Sequence, residues 1–336
     1  MAIENEKPKI SFVGCGFVGG TWIKYLEKER KYVRGRDFFC YDPPKDMVDD
    51  INKANIVVVS VPTPASESGI CDLSIVRDAV SRIDSGKWVI IRSTVSPGTT
   101  AKLQKEYPDK NFIFMPEFLT EARAEEDFRN PDRLILAPAN KNFKIVDTLL
   151  SLLPKARALT VPSYPDTYTW LDVTPTEAEL AKYFGNIMGS TKVTLAEIFA
   201  TACQLLESRL KREGLAERVD YGHVRKVVAA DYRIGDSHLK SKHGGYRGFG
   251  GYCFIKDTYA FLSFLSDLQW FFIKNKASEK LIRLIDANIS FFQNILHSNA
   301  LLLEIQGLTE KEAMTHTEEL EKIIGSKELK DVGDYT

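Results

Sequence analysis

KISFVGCGFVGGTWIKYLEKERK, residues 9–31, decides how the rest of the chain is read. Its first six residues are a short β-rich run, and the segment from Phe17 onward has helical character. Between them Gly14-Cys15-Gly16-Phe17-Val18-Gly19 forms a G-x-G-x-x-G. Glycines at those places permit a tight turn, let backbone approach a pyrophosphate, and let the helix pack closely on the strand. The helix N-terminus then faces the phosphates. Alone the motif is weak, because glycine turns are common in α/β proteins that bind no cofactor. Here Asp42 ends the next β-rich run, FFCYD (38–42), 23 residues past Gly19. A carboxylate there accepts hydrogen bonds from both ribose hydroxyls and repels a 2′-phosphate. NAD is therefore expected rather than NADP.

Outward from this unit, strands alternate with helices. NIVVVSVP (55–62), WVIIRST (88–94), NFIFMPE (111–117), RLILAP (133–138) and ARALTVP (156–162) read as strands. DLSIVRDAVSRI (72–83) and TTAKLQKEY (99–107) read as helices between them. That alternation predicts a parallel sheet covered on both faces. The pattern changes in the turn- and aromatic-rich SYPDTYTWLDVTP (163–175), which reads as a boundary loop. One long helix is expected from Thr176 to about Arg212, then helices at about 218–231, 255–273, 278–304 and 309–324. The fold class is α/β: a Rossmann-type parallel sheet followed by an all-helical domain built on one long helix. The boundaries are drawn at 1–165 for the NAD-binding domain and 166–336 for a helical, dimerising domain.

Composition narrows the function classes. The 336 residues include 45 basic and 46 acidic side chains, a net charge of −1, and no basic face is evident. Nucleic acid is not expected as a partner. The N-terminal MAIENEK has no signal-peptide pattern, and no apolar run reaches about 18 residues. FLSFLSDLQWFFI (261–273) is interrupted by Asp267 and Gln269 and reads as a packed helix. Five cysteines, at 15, 40, 71, 203 and 253, lack paired spacing. That argues against a disulfide framework or a zinc site, and for a cytoplasmic setting with no bound metal.

A second cluster of candidates lies further on. In GFGGYCFIKD (248–257), Cys253 follows a glycine run and precedes Lys256 and Asp257 at i+3 and i+4. If a helix starts near Cys253, its N-terminus and the nearby lysine lower the thiol pKa from about 8.5. Taken alone, a cysteine in a glycine-rich turn is more often structural. TEAELAKYFGN (176–186) places Lys182 and Asn186 at i and i+4, with Glu179 in reach. Such a pair supplies N–H donors for a developing oxyanion, unless it is simply a solvated helix face. Glu117, where a strand ends, is a candidate general base or an ordinary surface carboxylate.

Together these segments resemble the UDP-glucose/GDP-mannose dehydrogenase family. The matches are the glycine fingerprint with Asp42, VSVPTP (59–64), RSTVSPGTT (92–100), PEFLTEA…DFRNPDR (116–133), EAELAKYFGN (177–186), YRIGDSHLK (232–240) and GFGGYCFIKD, in family order. The resemblance implies oxidation of a sugar-nucleotide primary alcohol to a carboxylate with two NAD⁺. It implies that Cys253 captures the aldehyde as a thiohemiacetal, which is oxidised to a thioester and hydrolysed. Lys182 and Asn186 would stabilise oxyanions, Asp257 and Thr94 would hold a water, and Glu117 would assist hydrolysis. Cofactor contacts are implied for Gly14, Gly16, Phe17, Val18, Gly19, Asp42, Pro62, Thr63, Thr94, Glu121 and Lys256. Substrate contacts are implied for Phe118, Leu119, Lys182, Asn186, Gly250 and Arg233, the last across the subunit interface of a homodimer.

Departures from the family pattern accompany these matches. Only 13 residues separate Asp42 from Asn55, where relatives carry a longer excursion. Met115, Tyr252, Ile255 and His238 replace more usual residues, and about SKHGGYR (241–247) is inserted. No strand–helix alternation follows residue 305, where relatives continue into a nucleotide-holding domain. Two other readings stand beside the four-electron one: a two-electron β-hydroxyacid-type dehydrogenase, which needs no cysteine, and a non-catalytic NAD-binding remnant.

Overall fold

The computed structural model describes residues 7–64, 69–155, 169–170, 173–242, 244–315, 317–327 and 329. By its internal contacts the chain divides into two compact units, Met1–Ser66 with Cys71–Lys182, and Glu67–Ile70 with Tyr183–Thr336. The expected boundary at 165/166 and the expected strand 156–162 lie outside the described residues.

The first unit is built on a sheet. Its strands are β1 (Ile10–Val13), β2 (Phe38–Asp42), β3 (Met47–Val48), β4 (Ile56–Val59), β5 (Trp88–Ile91), β6 (Asn111–Phe114), β7 (Leu134–Ile135), β8 (Ala137–Pro138) and β9 (Thr169–Trp170). Seven of them join in the order β3-β2-β1-β4-β5-β6-β8, and β7 pairs separately with β9. The central five are parallel, with Val13 opposite both Tyr41 and Val59. The edges β3 and β8 run antiparallel. The expected single strand 133–138 is thus two short ones, and β8 turns back on β6. Antiparallel edge strands on an otherwise parallel sheet are common.

Helices α1 (Phe17–Arg30), α2 (Ser74–Ser81), α3 (Thr99–Glu106), α4 (Ala124–Arg129) and α5 (Val146–Leu152) complete this unit. Alternate side chains along each strand enter different cores. Ile10, Phe12, Val58 and Ile90 pack with Trp22, Leu26 and Leu149. Val13, Val57, Val59 and Ile91 pack with Val76, Val80 and Leu103. The period of two in a sheet buried on both faces explains the unbroken Ile-Val-Val-Val run of β4.

The second unit is helical. Helix α6 (Pro175–Arg212) begins in the first unit and continues past Lys182 into the second. It is followed by α7 (Tyr221–Ala229), α8 (Tyr252–Lys274), α9 (Glu279–Ile305), α10 (Glu310–Ala313) and α11 (Thr317–Ser326). Helix α9 starts at Ser278, whose hydroxyl accepts from Leu281 N. A Thr309–Glu312 capping box starts α10. Val193, Ile255, Ile295, Leu303 and Leu320 form the core, with Tyr246 and Phe249 of the loop before α8.

Candidate active site

The glycine loop at the end of β1 has the steric character that a dinucleotide site needs. Gly14 has φ +86°, and a Cβ there would stand 2.5 Å from Ser60 O. A Cβ on Gly19 would stand 2.2 Å from Gly14 O, so only glycine lets α1 pack this closely on the turn. Gly16 faces open space within 4 Å, leaving room for a ligand against the backbone. The N-terminus of α1 has no side-chain cap and no acidic residue in its first turn. Its N–H groups and dipole therefore favour an anion. Phe17 is exposed and Val18 half-buried in that turn.

Asp42 ends β2 and accepts a 2.8 Å hydrogen bond from Cys15 N through Oδ2, which ties its carboxylate to the glycine loop. Lys45 Nζ donates to Cys15 O at 2.8 Å. Further along the strand ends, Pro62 is exposed, while Thr63 Oγ1 donates to Thr94 O at 2.7 Å. Glu121 lies on the surface at the start of a 3-10 turn, Glu121–Arg123. These residues fit NAD. The glycine loop has room for a pyrophosphate, and the Asp42 carboxylate would suit a ribose.

Glu117 and Lys182 are brought together within the first unit. Both are almost fully buried, and Lys182 Nζ donates to Glu117 O at 2.6 Å and Oε1 at 2.9 Å. Leu119 N donates to the other carboxylate oxygen at 2.7 Å. Burial alone would push the Glu117 carboxyl up. The Lys182 charge and hydrogen bond, Leu119 N–H and the Arg92 charge outweigh it and hold the group below its ordinary value. Two cations approach the Phe118 ring, whose centroid is 3.7 Å from the Arg133 guanidinium carbon and 5.5 Å from Lys182 Nζ. Leu119 is half-buried beside the apolar core.

Glu179, one turn before Lys182, is fully buried and caps a different helix. It accepts from Gly98 N at 2.5 Å, Thr100 N at 2.9 Å and Thr100 Oγ1 at 2.7 Å. The N-cap of α3 is Gly98, which has no side chain, so Glu179 satisfies those donors from α6. Burial raises its pKa against these hydrogen bonds. Its role is structural, and it fixes the turn of α6 that carries Lys182.

In the second unit Cys253 is exposed, in the first turn of α8, after Gly251 with φ +74° and no side-chain cap. None of the five cysteines is in a disulfide. Lys256 is buried, and its ammonium donates to Asp257 Oδ1 at 2.5 Å. Asn186 Nδ2 donates to Asp257 Oδ2. Asp257 therefore has both oxygens engaged at zero exposure. Lys256, expected beside the thiol, pairs with its neighbour Asp257. Arg233 is exposed and forks onto Asp231.

Sequence reasoning missed what holds the glycine run ahead of Cys253. Asn299 of α9 accepts from Phe249 N at 2.8 Å and donates to Phe249 O at 3.0 Å. Gln306 makes the same two-way pairing with Arg247, at 2.8 and 3.0 Å. The Arg247 guanidinium is buried against Glu197 of α6 at 2.7 Å, and Glu197 also accepts from Gly248 N at 3.0 Å. A Cβ on Gly250 would stand 2.0 Å from the Tyr246 hydroxyl and 2.6 Å from Ala313 O. Gly250 is needed for this packing. The only sequence signal for the clamp was buried-type polar residues on an apolar helix.

The chain matches the UDP-glucose/GDP-mannose dehydrogenase family NAD-binding domain over residues 39–152 and that family's central domain over 176–277. It is 26% identical over 320 residues to a UDP-glucose 6-dehydrogenase of Rickettsia bellii, covering 82% of this chain and 66% of that one. It is 28% identical over 233 residues to UDP-glucose 6-dehydrogenase AglM of Haloferax volcanii, covering 64% and 49%. This chain thus spans between about half and two thirds of those relatives' length. A UDP-glucose dehydrogenase structure from Pyrobaculum islandicum aligns with a TM-score of 0.63 at 23% identity, over 91% of this chain and 71% of that one, which is a likeness of fold. With an NAD-binding domain and a central domain matched over more than half its length, the chain belongs to the UDP-glucose/GDP-mannose dehydrogenase family.

Proposed function

We propose that this protein oxidises the primary alcohol of a nucleotide sugar, UDP-glucose-like, to the uronic acid. The Gly14–Gly19 loop and Asp42 would hold NAD⁺, which would supply the hydride acceptor for two oxidations. After the first, the Cys253 thiolate adds to the aldehyde carbon to give a thiohemiacetal. Loss of a second hydride leaves a thioester, and water cleaves it to carboxylate and thiol. Each turnover consumes two NAD⁺ and one water. Lys182 and Asn186, one turn apart on α6, donate to the oxyanions. Asp257 and Thr94 position water, and Glu117 assists hydrolysis. Phe118, Leu119, Gly250 and Arg233 contact the substrate, with Arg233 acting across the interface of a homodimer. Exposed Phe184, Ile198, Phe199 and Leu205 on α6 support such an interface. No described helix is long and apolar enough to cross a membrane, and the cytoplasm is the proposed setting.

The observation that carries this reading is Cys253, exposed in the uncapped first turn of α8 behind a glycine run clamped from three sides. A structural cysteine needs no such presentation. The test is the NADH yield per molecule of UDP-glucose, with GDP-mannose and free glucose alongside. Two NADH per sugar, and no uronate from Cys253→Ala, is the expected result. One NADH per substrate with full turnover in Cys253→Ala identifies a two-electron dehydrogenase instead.

A further inference from the structure

Two thiols sit at the root of the glycine loop, and no step above uses either. Cys15 stands between Gly14 and Gly16, and Cys40 lies in β2, opposite Phe12 in the register with β1. Both are buried, at 6% and 1% exposure, in the core that holds Phe12, Trp22 and Phe38. Backbone donors bring the loop onto β2. Gly14 N donates to Tyr41 O at 3.0 Å, and Cys15 N to Asp42 Oδ2 at 2.8 Å. The two side chains meet there, thiol hydrogen-bonded to thiol. Neither is in a disulfide.

The pair is chemically asymmetric. The Cys40 hydrogen bond holds the Cys15 thiol below its ordinary pKa against burial and the Asp42 charge, and the Lys45 and Arg34 charges act with it. The Lys45 ammonium is close, donating to Cys15 O at 2.8 Å. The bond to Cys15 and burial push the Cys40 thiol up. Cys15 is therefore the attacking sulfur and Cys40 the resolving one. Cys15 is also the less buried of the two, and the next residue, Gly16, faces open space. The loop side is thus the route for a small oxidant. A Cβ on Gly14 would stand 2.5 Å from Ser60 O, so the loop has no slack at that end. Any shift of Cys15 toward β2 passes instead to Gly16 and the first turn of α1, where an anion would sit.

We propose that Cys15 and Cys40 form a reversible disulfide when the protein meets a peroxide, and that this bond weakens NAD binding by drawing the glycine loop onto β2. The Cys15 thiolate attacks one peroxide oxygen, giving a sulfenic acid and a hydroxide that takes up the thiol's proton. The Cys40 sulfur then displaces the sulfenic hydroxyl, and its own proton leaves with it as water. Two thiols and one hydrogen peroxide give one disulfide and two waters, the sulfurs losing the two electrons that the peroxide gains. The effect on binding rests on NAD being held at Gly14–Gly19 and Asp42, whereas the disulfide does not. The test uses the full chain with Cys253→Ala, which removes the exposed thiol, treated with equimolar hydrogen peroxide and digested with trypsin without reductant. A link between peptides 10–24 and 37–45, reversed by dithiothreitol, is expected. NADH affinity by fluorescence titration should fall about tenfold on oxidation. Adding Cys15→Ala should make that affinity insensitive to peroxide. Absence of the link overturns the proposal and leaves the two thiols as core packing. A link with unchanged NADH affinity, or an equal loss of affinity in Cys15→Ala, overturns the effect on the loop. Failure of the reduced protein to bind NADH defeats the NAD reading instead, and the peptide link still decides the disulfide.

Discussion

Lys182 Nζ holds Glu117 twice, through the backbone carbonyl at 2.6 Å and the carboxylate Oε1 at 2.9 Å, and both residues are almost closed to solvent. With Leu119 N on the remaining oxygen, Glu117 has little spare basicity in this state. Its first effect is to aim the Lys182 ammonium. The proposed assistance of hydrolysis by Glu117 would require that contact to loosen as the substrate's oxygen took up the lysine.

Lys182→Met leaves Glu117 buried without its main partner and should cost about 3–5 kcal/mol in urea unfolding. The pH dependence should invert. In the parent chain the folded Glu117 pKa lies below the unfolded value of about 4.3. Its contribution is present above that value and lost as pH falls through the folded one. With the lysine gone, burial dominates and raises the folded pKa, so stability should fall as pH rises past about 4.3. Adding Glu117→Gln should recover much of the loss, and a strictly additive double variant would show that the two residues do not act as a pair.

Glu179→Ala removes the acceptor for Gly98 N, Thr100 N and the Thr100 hydroxyl, and should destabilise the chain by about 1–3 kcal/mol. Because the folded Glu179 pKa is raised, its carboxyl favours folding when protonated. That part of the stability is full below the unfolded pKa and lost as pH rises through the folded one. Glu179→Gln should therefore remove this fall in stability as pH rises above about 4.3, measured by denaturant midpoints. An unchanged slope would mean the carboxyl does not titrate in that window.

Asp42→Ser should lower NAD affinity by about tenfold and narrow the preference over NADP, because it removes the proposed ribose acceptor and the anion that would oppose a 2′-phosphate. It also breaks the bond to Cys15 N, for about 1 kcal/mol of stability. Fluorescence titration with NADH and NADPH reads both affinities. Unaltered discrimination would move the ribose elsewhere.

Asn299→Ala should cost about 1–3 kcal/mol, since Phe249 N and O both lose their partner inside the core. Activity should fall further than stability accounts for, as kcat rather than KM, because the loop ahead of Cys253 is no longer held. Rates at temperatures where the variant is fully folded separate the two effects. Full kcat there would make the clamp structural only.

Local steric rules made the cofactor half readable. Gly14 and Gly19 are dictated by neighbours that β1 and α1 bring near by themselves, so three glycines between a strand and a helix convey the turn. The period of four between Lys182 and Asn186 is local in the same sense. The clamp on the second loop was hidden because Arg247 and Phe249 find Glu197, Gln306 and Asn299 at separations of 50–59 residues. Glu179 meets Thr100 across 79 residues, so its place beside Lys182 in the sequence did not disclose its role as a cap for α3. Strands β3 and β8 have two residues each and are too short to carry an alternation.

Asp257 joins Asn186 to Lys256 at zero exposure, and its replacement distinguishes charge from shape. Asp257→Ala leaves the Lys256 ammonium buried without its anion and should cost about 3–5 kcal/mol. Asp257→Asn keeps the volume and one acceptor oxygen, which can serve Lys256 or Asn186 but not both. It should therefore cost about 1–3 kcal/mol and fold. If Asp257 holds the water for proton transfer, the Asn variant should lose about 10²–10⁴-fold in kcat while binding NADH as the parent does. Parent-like turnover in a folded Asp257→Asn would reduce the triad to a scaffold for the first turns of α8. Proton transfer would then have to be sought around Thr94 or Glu117.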